Sequence, residues 1–217
     1  MDHHQPGSEP DVGERPFRRG VVAVIRTNTT VTALTAARGL ANTSVVGIEV
    51  TMTVPNAPKV IARLRSEGVQ RVGAGTVRTL DQLKRCVDAG ADFLVCPHLD
   101  PQLVDAAAES GVPIVPGALT PTEIMTAINL GVAAVKVFPV SAVGGHGYLR
   151  AVLEPLPDAR LVVSGEVALA EVAGYLSVGA WAVCLGSSLW LCKEAENGDS
   201  DAVRRFAQHA LQKAVDG

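Results

Sequence analysis

Lys136 is the residue of this sequence whose type and position point most clearly to chemistry. The chain has five lysines, and Lys136 is the one that falls inside a short β-branched run, AVKVFP. Side chains alternate between the two faces of a strand, so Val135 and Val137 face one way and Lys136 faces the other. An amine buried in apolar surroundings loses its proton more readily and then attacks carbonyl carbon. We therefore expect Lys136 to form a Schiff base; a lysine paired with a carboxylate for structure alone is the alternative.

Glu49 is a second ionisable residue inside an apolar run, VVGIEVT. If Val46, Ile48 and Val50 face surrounding helices, Glu49 faces the opposite side, towards an interior. A carboxylate near a buried lysine can be its ion-pair partner or a proton-transfer group with a shifted pKa. The presence of two residues of opposite charge in two apolar strands favours a catalytic pair over two unrelated occurrences of charged residues.

Eight short apolar runs would position these residues. They begin at residues 21, 45, 71, 92, 113, 134, 160 and 181, and stretches with helical spacing separate them. Several of these stretches start with capping residues, namely Thr79, Asp100 before Pro101, and Thr120 with Glu123 three residues later. Eight strand–helix units predict an α/β fold, a compact single-domain (β/α)8 barrel. An open doubly wound sheet is the alternative, but the count of eight and the even spacing favour the barrel.

In such a barrel the active site lies at the C-terminal ends of the strands. Arg26 ends the first run, where it could hold a carboxylate through two parallel hydrogen bonds. Thr76 ends the third run and offers a hydroxyl group nearby. His98 and His146 fall in loops on the same side, where each could move protons or be an ordinary loop residue.

The composition limits the remaining classes of function. The chain has 217 residues, 47% of them apolar, and a net charge of −3, which disfavours a nucleic-acid-binding surface. No apolar run approaches the length of about 18 residues that a membrane span requires. The residues from Met1 to Pro16 are polar, which predicts a flexible tail without a secretory signal, so residues 17–217 form the predicted barrel domain. The four cysteines show no CxxC pair, and neither they nor the histidines show metal-ligand spacing, so we expect a cytoplasmic protein without a metal.

The order and spacing of GIEVTMTVP, VGAGTV, VCPHLD, VPGALTPTE and VKVFP support a more specific interpretation. Over about residues 18–215 the chain resembles the bacterial 2-keto-3-deoxy-6-phosphogluconate (KDPG) aldolase family, including its 4-hydroxy-2-oxoglutarate (KHG) aldolase members. The resemblance implies a class I aldolase on a (β/α)8 barrel that needs no metal and is usually a homotrimer. Its implied small-molecule partners are pyruvate or another 2-oxo acid and an aldehyde.

The resemblance also implies roles for individual residues. Lys136 matches the Schiff-base lysine, and Glu49 matches the general acid/base. Thr76 matches a residue that binds the pyruvate carboxylate, and Pro97 and Phe138 match walls of the pocket.

The carboxylate-binding arginine is the first point at which the sequence departs from many members. Those members carry an arginine four residues after the catalytic glutamate, where this chain has Thr53. Other members place the arginine at the end of the first strand, and Arg26 in AVIRTN fits that second pattern.

The second departure concerns the phosphate. The family usually reads PTGG after the seventh strand, where backbone amides hold the substrate phosphate, and this chain reads VVSGEV. Ser164 and Gly165 fit the pattern, and Ser188 stands at the place of a phosphate-binding serine, but Glu166 replaces the second glycine. A carboxylate opposes anion binding, so the sequence favours an acceptor without phosphate. Three alternatives stay open: a Glu166 side chain that points to solvent, a non-catalytic barrel that binds an oxo acid, and an isomerase or synthase of the phosphate-binding type.

Overall fold

Strands and helices alternate along the chain. The computed structural model describes residues 16–190 and 193–216, so Cys192 and most of the predicted tail, residues 1–15, lie outside the described residues. The strands are β1 (Gly20–Ile25), β2 (Gly47–Thr51), β3 (Val72–Gly75), β4 (Leu94–Val95), β5 (Ile114–Val115), β6 (Gly117–Ala118), β7 (Val135–Val137), β8 (Leu161–Val163) and β9 (Ala182–Leu185). The helices are α1 (Thr30–Ala41), α2 (Ala57–Ser66), α3 (Leu80–Asp88), α4 (Pro101–Ser110), α5 (Pro121–Asn129), α6 (Gly145–Leu153), α7 (Val172–Val178), α8 (Lys193–Glu196) and α9 (Ser200–Asp216).

The strands form one parallel sheet that curves into a nearly closed barrel. Their order is β5-β4-β3-β2-β1-β9-β8-β7-β6, so the two ends of the sheet are consecutive strands. Strands β5 and β6 are two halves of the predicted fifth strand, separated at Pro116, which has no backbone N–H to donate. The amide of Gly117 in β6 donates to the carbonyl of His98, in the loop after β4, at 3.2 Å and so connects one end strand to the opposite side of the sheet. The predicted (β/α)8 barrel is confirmed, and the open sheet is excluded.

The helices begin where the capping residues predict. The side chains of Thr79 and Asp100 accept hydrogen bonds from backbone amides in the first turns of α3 and α4. Thr120 and Glu123 form the predicted capping box at the start of α5. The last helix, α9, packs on α1, where Gly39 lies against Val203. Among the described helices none combines the length and the apolar character that crossing a membrane would need.

Two aromatic rings fill the base of the barrel. The rings of Phe17 and Phe93 are 4% and 0% exposed and meet edge to face, with 5.2 Å between their centroids. Gly47 and Gly73 leave room for them, since a Cβ atom at Gly73 would lie 2.3 Å from the Phe93 ring. An apolar layer therefore closes the barrel at the N-terminal ends of the strands.

The predicted alternation of strand side chains holds in β7 and β2 with one exception. Val135 and Val137 pack in the outer core between strands and helices, and so do Ile48 and Val50. The expectation that Val46 faces the helices is wrong, because Val46 packs with the inner cluster at the base of the barrel. It lies before the first residue of β2, where the regular period of two does not yet apply.

Removing the Phe93 ring tests the importance of this apolar layer. We expect Phe93→Ala to lower the free energy of unfolding by about 3–5 kcal/mol, because it leaves a cavity that Gly47 and Gly73 cannot fill. Equilibrium urea unfolding measures this change. The matched control is Phe206→Ala, since Phe206 is 42% exposed. An equal loss in both variants would contradict the role of Phe93.

Candidate active site

A cavity of about 580 Å3 opens at the C-terminal ends of the strands. All nine residues that the sequence analysis assigned to the site line this one cavity: Arg26, Glu49, Thr76, Pro97, Lys136, Phe138, Ser164, Gly165 and Ser188. They come from strands and loops spread over most of the chain. Their convergence follows from the barrel, which brings the ends of parallel strands to one face.

Lys136 lies in the middle of β7 and points into the barrel. Lys136 is 7% exposed, and it pairs in register with Gly117 on one side and Val162 on the other. The Nζ atom lies 5.0 Å from the centroid of the Phe138 ring, a distance at which an ammonium group is attracted to the aromatic face. The amine is therefore held at the bottom of the cavity with an aromatic wall beside it.

Glu49 lies in β2 and is almost completely enclosed, at 1% exposure. It pairs in register with Val24 and Gly73. A Cβ atom at Gly75 would lie 1.8 Å from Oε1 of Glu49, so only glycine at that position leaves room for the carboxylate. The two glycines in the GAG sequence of β3 thus leave room for two side chains. Gly73 leaves room for the Phe93 ring at the base of the barrel, and Gly75 leaves room for the Glu49 carboxylate at the cavity.

Burial dominates the electrostatics of Glu49. It raises the pKa of the carboxyl above its ordinary value of 4.5, while the positive charges of Lys136 and Arg26 oppose the rise. Within the described residues Oε2 is buried without a hydrogen-bond partner. An acid with a raised pKa and a free oxygen in a cavity is suited to accept and release protons during a reaction.

Arg26 and Thr76, to which the sequence analysis assigned carboxylate binding, lie in contact at one side of the cavity. A guanidinium nitrogen of Arg26 donates to Oγ1 of Thr76 at 3.3 Å. Thr76 has a φ of 58°, in the left-handed region, which is unusual for a β-branched residue and costs on the order of 1–3 kcal/mol. Thr53, at the position where many members have arginine, is hydrogen-bonded to Thr51 at 2.8 Å and does not line the cavity.

The loop after β8 forms the other end of the cavity. Ser164 and Gly165 line it together with Ser188 from the loop after β9. Gly165 has a φ of 107°, and a Cβ atom there would lie 2.8 Å from Cα of Pro139. Glu166 also lines the cavity, and its φ is 53°.

Sequence reasoning missed Cys184 as a wall of the cavity. It lies in β9 and is buried, and burial and the nearby Glu49 raise the pKa of its thiol to about 12. The sequence analysis assigned no site role to Cys184, although the alternation in β9 from Ala182 to Gly186 places it inside the barrel. Val24, Val167, Gly186 and Ser187 complete the lining.

The two histidines occupy different places. His98 lines a neighbouring cavity of about 380 Å3, which shares Pro97 and Phe138 with the first. A ring nitrogen of His146 lies 3.1 Å from the carbonyl of Glu171, and the ring packs on Tyr175, so His146 is away from the candidate site. The described residues contain no group of three or more His, Cys, Asp or Glu side chains that could hold a metal ion.

A buried lysine and a buried acid in one cavity at the C-terminal ends of parallel barrel strands are the groups that an enzyme working through an imine requires. Comparison with known proteins narrows this class of enzymes. The sequence profile described as "Aldolase: KDPG and KHG aldolase" matches residues 14–206. The 2-dehydro-3-deoxy-phosphogluconate aldolase of Treponema pallidum (strain Nichols) is 33% identical over 193 residues, which are 88% of this chain and 92% of that protein.

Two further relatives are also aldolases by name. The KHG/KDPG aldolase of Escherichia coli (strain K12) is 33% identical over 196 residues, covering 89% of this chain and 92% of that protein. A crystal structure of KDPG aldolase from Legionella pneumophila, with pyruvate captured at low pH as a covalent carbinolamine intermediate, has a TM-score of 0.79 and 25% identity. It covers 89% of this chain and 94% of that one. The chain belongs to the KDPG and KHG aldolase family, and it is therefore a carbon–carbon lyase.

The raised pKa of Glu49 predicts a pH dependence of stability. Below about pH 4.5 the carboxyl is protonated in both the folded and the unfolded chain. As the pH rises above that value, the unfolded chain releases this proton and the folded chain keeps it, so the folded state loses stability until the pH passes the folded pKa. We expect the free energy of unfolding of Glu49→Gln, minus that of the wild type, to increase from pH 4.5 upwards.

Urea unfolding of both proteins between pH 4.5 and 8 measures this difference. Glu109→Gln, a change at an exposed position of α4, is the matched control and should show no such increase. A difference for Glu49→Gln that falls as the pH rises would show that the pKa of Glu49 is lowered.

Proposed function

We propose that the chain is a class I aldolase that cleaves or forms a 4-hydroxy-2-oxo acid, with pyruvate and an aldehyde as the other partners. The observation that supports this most directly is the placement of Lys136 and Glu49 in one cavity beside Arg26. An amine supplies the nucleophile, an acid with a raised pKa supplies proton transfer, and a guanidinium group supplies an anchor for a carboxylate.

The first step is imine formation at Lys136. Its neutral amine attacks C2 of the oxo acid and forms a carbinolamine, the kind of intermediate that was captured in the Legionella pneumophila relative. Glu49 protonates the departing hydroxyl, which leaves as water, and the nitrogen becomes a protonated imine. Arg26 and Thr76 bind the substrate carboxylate, so that C2 lies over Nζ of Lys136.

The second step breaks the C3–C4 bond. Glu49 accepts the proton of the C4 hydroxyl, the aldehyde leaves, and the electron pair of the C3–C4 bond moves towards the imine nitrogen to give an enamine. Glu49 then returns the proton to C3, and water hydrolyses the imine to release pyruvate and Lys136. Because the imine nitrogen takes up the electron pair, the proposed reaction needs neither a metal nor an organic cofactor.

The remaining side chains shape the cavity around this reaction. We assign Pro97 and Phe138 to its walls and Ser164, Gly165 and Ser188 to the acceptor end. From the resemblance to the family we also propose a cytoplasmic homotrimer, with residues 17–217 as the barrel domain. A solution mass of one chain, 22.5 kDa, in light scattering would contradict the trimer.

Reductive trapping tests the mechanism. With pyruvate and borohydride, we expect the intact wild-type chain to gain the mass of one reduced pyruvate adduct, and peptide mapping to place it on Lys136. Lys136→Arg should gain none, because a guanidinium does not form the imine. Glu49→Gln should form the adduct about 100-fold or more slowly, since it loses the general acid.

Lys59→Arg is the matched control for this experiment, because Lys59 lies on α2 and does not line the cavity. It should trap pyruvate as the wild type does. Saturable pyruvate binding by the wild type without any adduct would support the non-catalytic barrel instead. An adduct of equal yield in Lys136→Arg would show that another amine reacts.

A second candidate function keeps this chemistry and changes the acceptor. Glu166 lines the end of the cavity where the family pattern has a glycine beside the phosphate, and this favours an aldehyde without phosphate. We expect kcat/KM with pyruvate to be higher for glyceraldehyde than for glyceraldehyde 3-phosphate. A strong preference for the phosphorylated aldehyde would favour a sugar phosphate substrate.

A further inference from the structure

We propose that Glu166 makes the acceptor end of the cavity selective for aldehydes that carry a hydrogen-bond donor, an ammonium or a hydroxyl group, and no negative charge. The inference rests on the proposed aldolase function and adds the chemical class of the acceptor. It follows from the position, the backbone conformation and the electrostatic surroundings of this one carboxylate.

Glu166 lies at the end of the cavity that the carboxylate anchor does not occupy. Arg26 and Thr76 follow β1 and β3, whereas Glu166 follows β8, and β9 lies between β8 and β1. When the pyruvyl carboxylate is on Arg26, the aldehyde part of the substrate extends away from it. Glu166 lines the cavity there together with Gly165 and Val167.

The backbone that carries Glu166 is held in place. Ser164 donates its amide to the carbonyl of Val137 at 3.1 Å and accepts from the amide of Val140 at 2.9 Å. The hydroxyl of Ser141 donates to the carbonyl of Glu166 itself at 3.3 Å. These bonds tie the loop to the segment that follows β7, so its course along the cavity is set by the barrel.

The conformation of Glu166 makes a glutamate an unfavourable choice on structural grounds alone. Its φ of 53° lies in the left-handed region, which glycine adopts without strain and side chains with a Cβ atom do not. The side chain is exposed and adds nothing to the buried core. A strained residue at the edge of an active-site cavity points to a role of its side chain in binding.

The charges around the cavity determine what Glu166 can bind. The positively charged side chains of the cavity are those of Arg26 and Lys136, and both are assigned to the oxo-acid end. Beside Glu166 the lining consists of glycine, valine and serine residues, and among the described residues no cation lies within 4.0 Å of its carboxylate. An acceptor that brings an N–H or O–H donor gains a charge-assisted hydrogen bond there, whereas a phosphate meets a like charge.

Four aldehydes test this selectivity, each with pyruvate as the partner: propanal, glyceraldehyde, 3-aminopropanal and glyceraldehyde 3-phosphate. For the wild type we expect kcat/KM to be about tenfold or more higher for glyceraldehyde or 3-aminopropanal than for glyceraldehyde 3-phosphate. Glu166→Gln should reduce this ratio about tenfold, mainly through KM for the aldehyde, and Glu166→Lys should reverse it. Glu109→Gln removes the same charge from an exposed position on α4 and should keep the wild-type ratio.

The comparison among the unphosphorylated aldehydes identifies the donor. A preference for 3-aminopropanal that weakens in 0.5 M sodium chloride supports recognition of charge, and an equal or greater preference for glyceraldehyde supports recognition of a hydroxyl group. Propanal, which has neither a charge nor a donor, should react similarly in the wild type and Glu166→Gln. If the variants do not fold, the salt dependence of the wild-type ratio tests the role of Glu166. Salt screens the repulsion between the carboxylate and the phosphate, so the kcat/KM of the phosphorylated aldehyde should rise relative to that of the others, and an unchanged ratio would contradict the proposal.

The proposal is wrong if the wild type prefers glyceraldehyde 3-phosphate, or if Glu166→Gln leaves the ratio as it is. These results differ from a failure of the aldolase function itself. If the wild type traps no pyruvate on Lys136, both proposals fail; if it traps pyruvate and Glu166→Gln leaves the ratio unchanged, only the role of Glu166 fails.

Discussion

The structure depends on keeping two ionisable groups of opposite charge, Lys136 and Glu49, inside an apolar barrel. Each would be unstable there alone, because water that stabilises its charge has been removed. The barrel accommodates them by closing its lower half with Phe17 and Phe93 and leaving a cavity above. Burial raises the pKa of Glu49 against the pull of the nearby positive charges. The feature that weakens the fold is thus the one on which the proposed proton transfer depends, a relation expected where stability and activity conflict.

Small residues are as important to this site as the reactive ones. Gly75 leaves the volume that the Glu49 carboxylate fills, and Gly117 lets the backbone of β6 approach the loop that contains His98. The reactive groups themselves stand on short, well-paired strands, whereas Arg26 and the loop after β8 lie just beyond strand ends. This division is typical of barrels, in which strands fix the chemistry and the following loops vary the substrate.

The two ends of the cavity have different electrostatic characters. The guanidinium group of Arg26 and the hydroxyl of Thr76 suit a carboxylate, and the amine of Lys136 lies within the same cavity. At the other end, Glu166 stands on a backbone conformation that glycine would adopt more easily. Electrostatics therefore favour the orientation in which the carboxylate of an oxo acid lies on Arg26.

The sequence by itself determined the eight-unit barrel, the capped helix starts and the inward direction of Lys136 and Glu49. These follow from local patterns, namely the spacing of apolar runs, capping residues and the period of two in a strand. Only the tertiary structure decided that the fifth strand breaks at Pro116, that Val46 joins the inner cluster, and that Cys184 forms a cavity wall. The direction of the Glu49 pKa shift was also undecided, because it depends on how burial balances against charges from distant parts of the chain. Local patterns specify which way a side chain points, and the packing of the whole barrel specifies what it meets there.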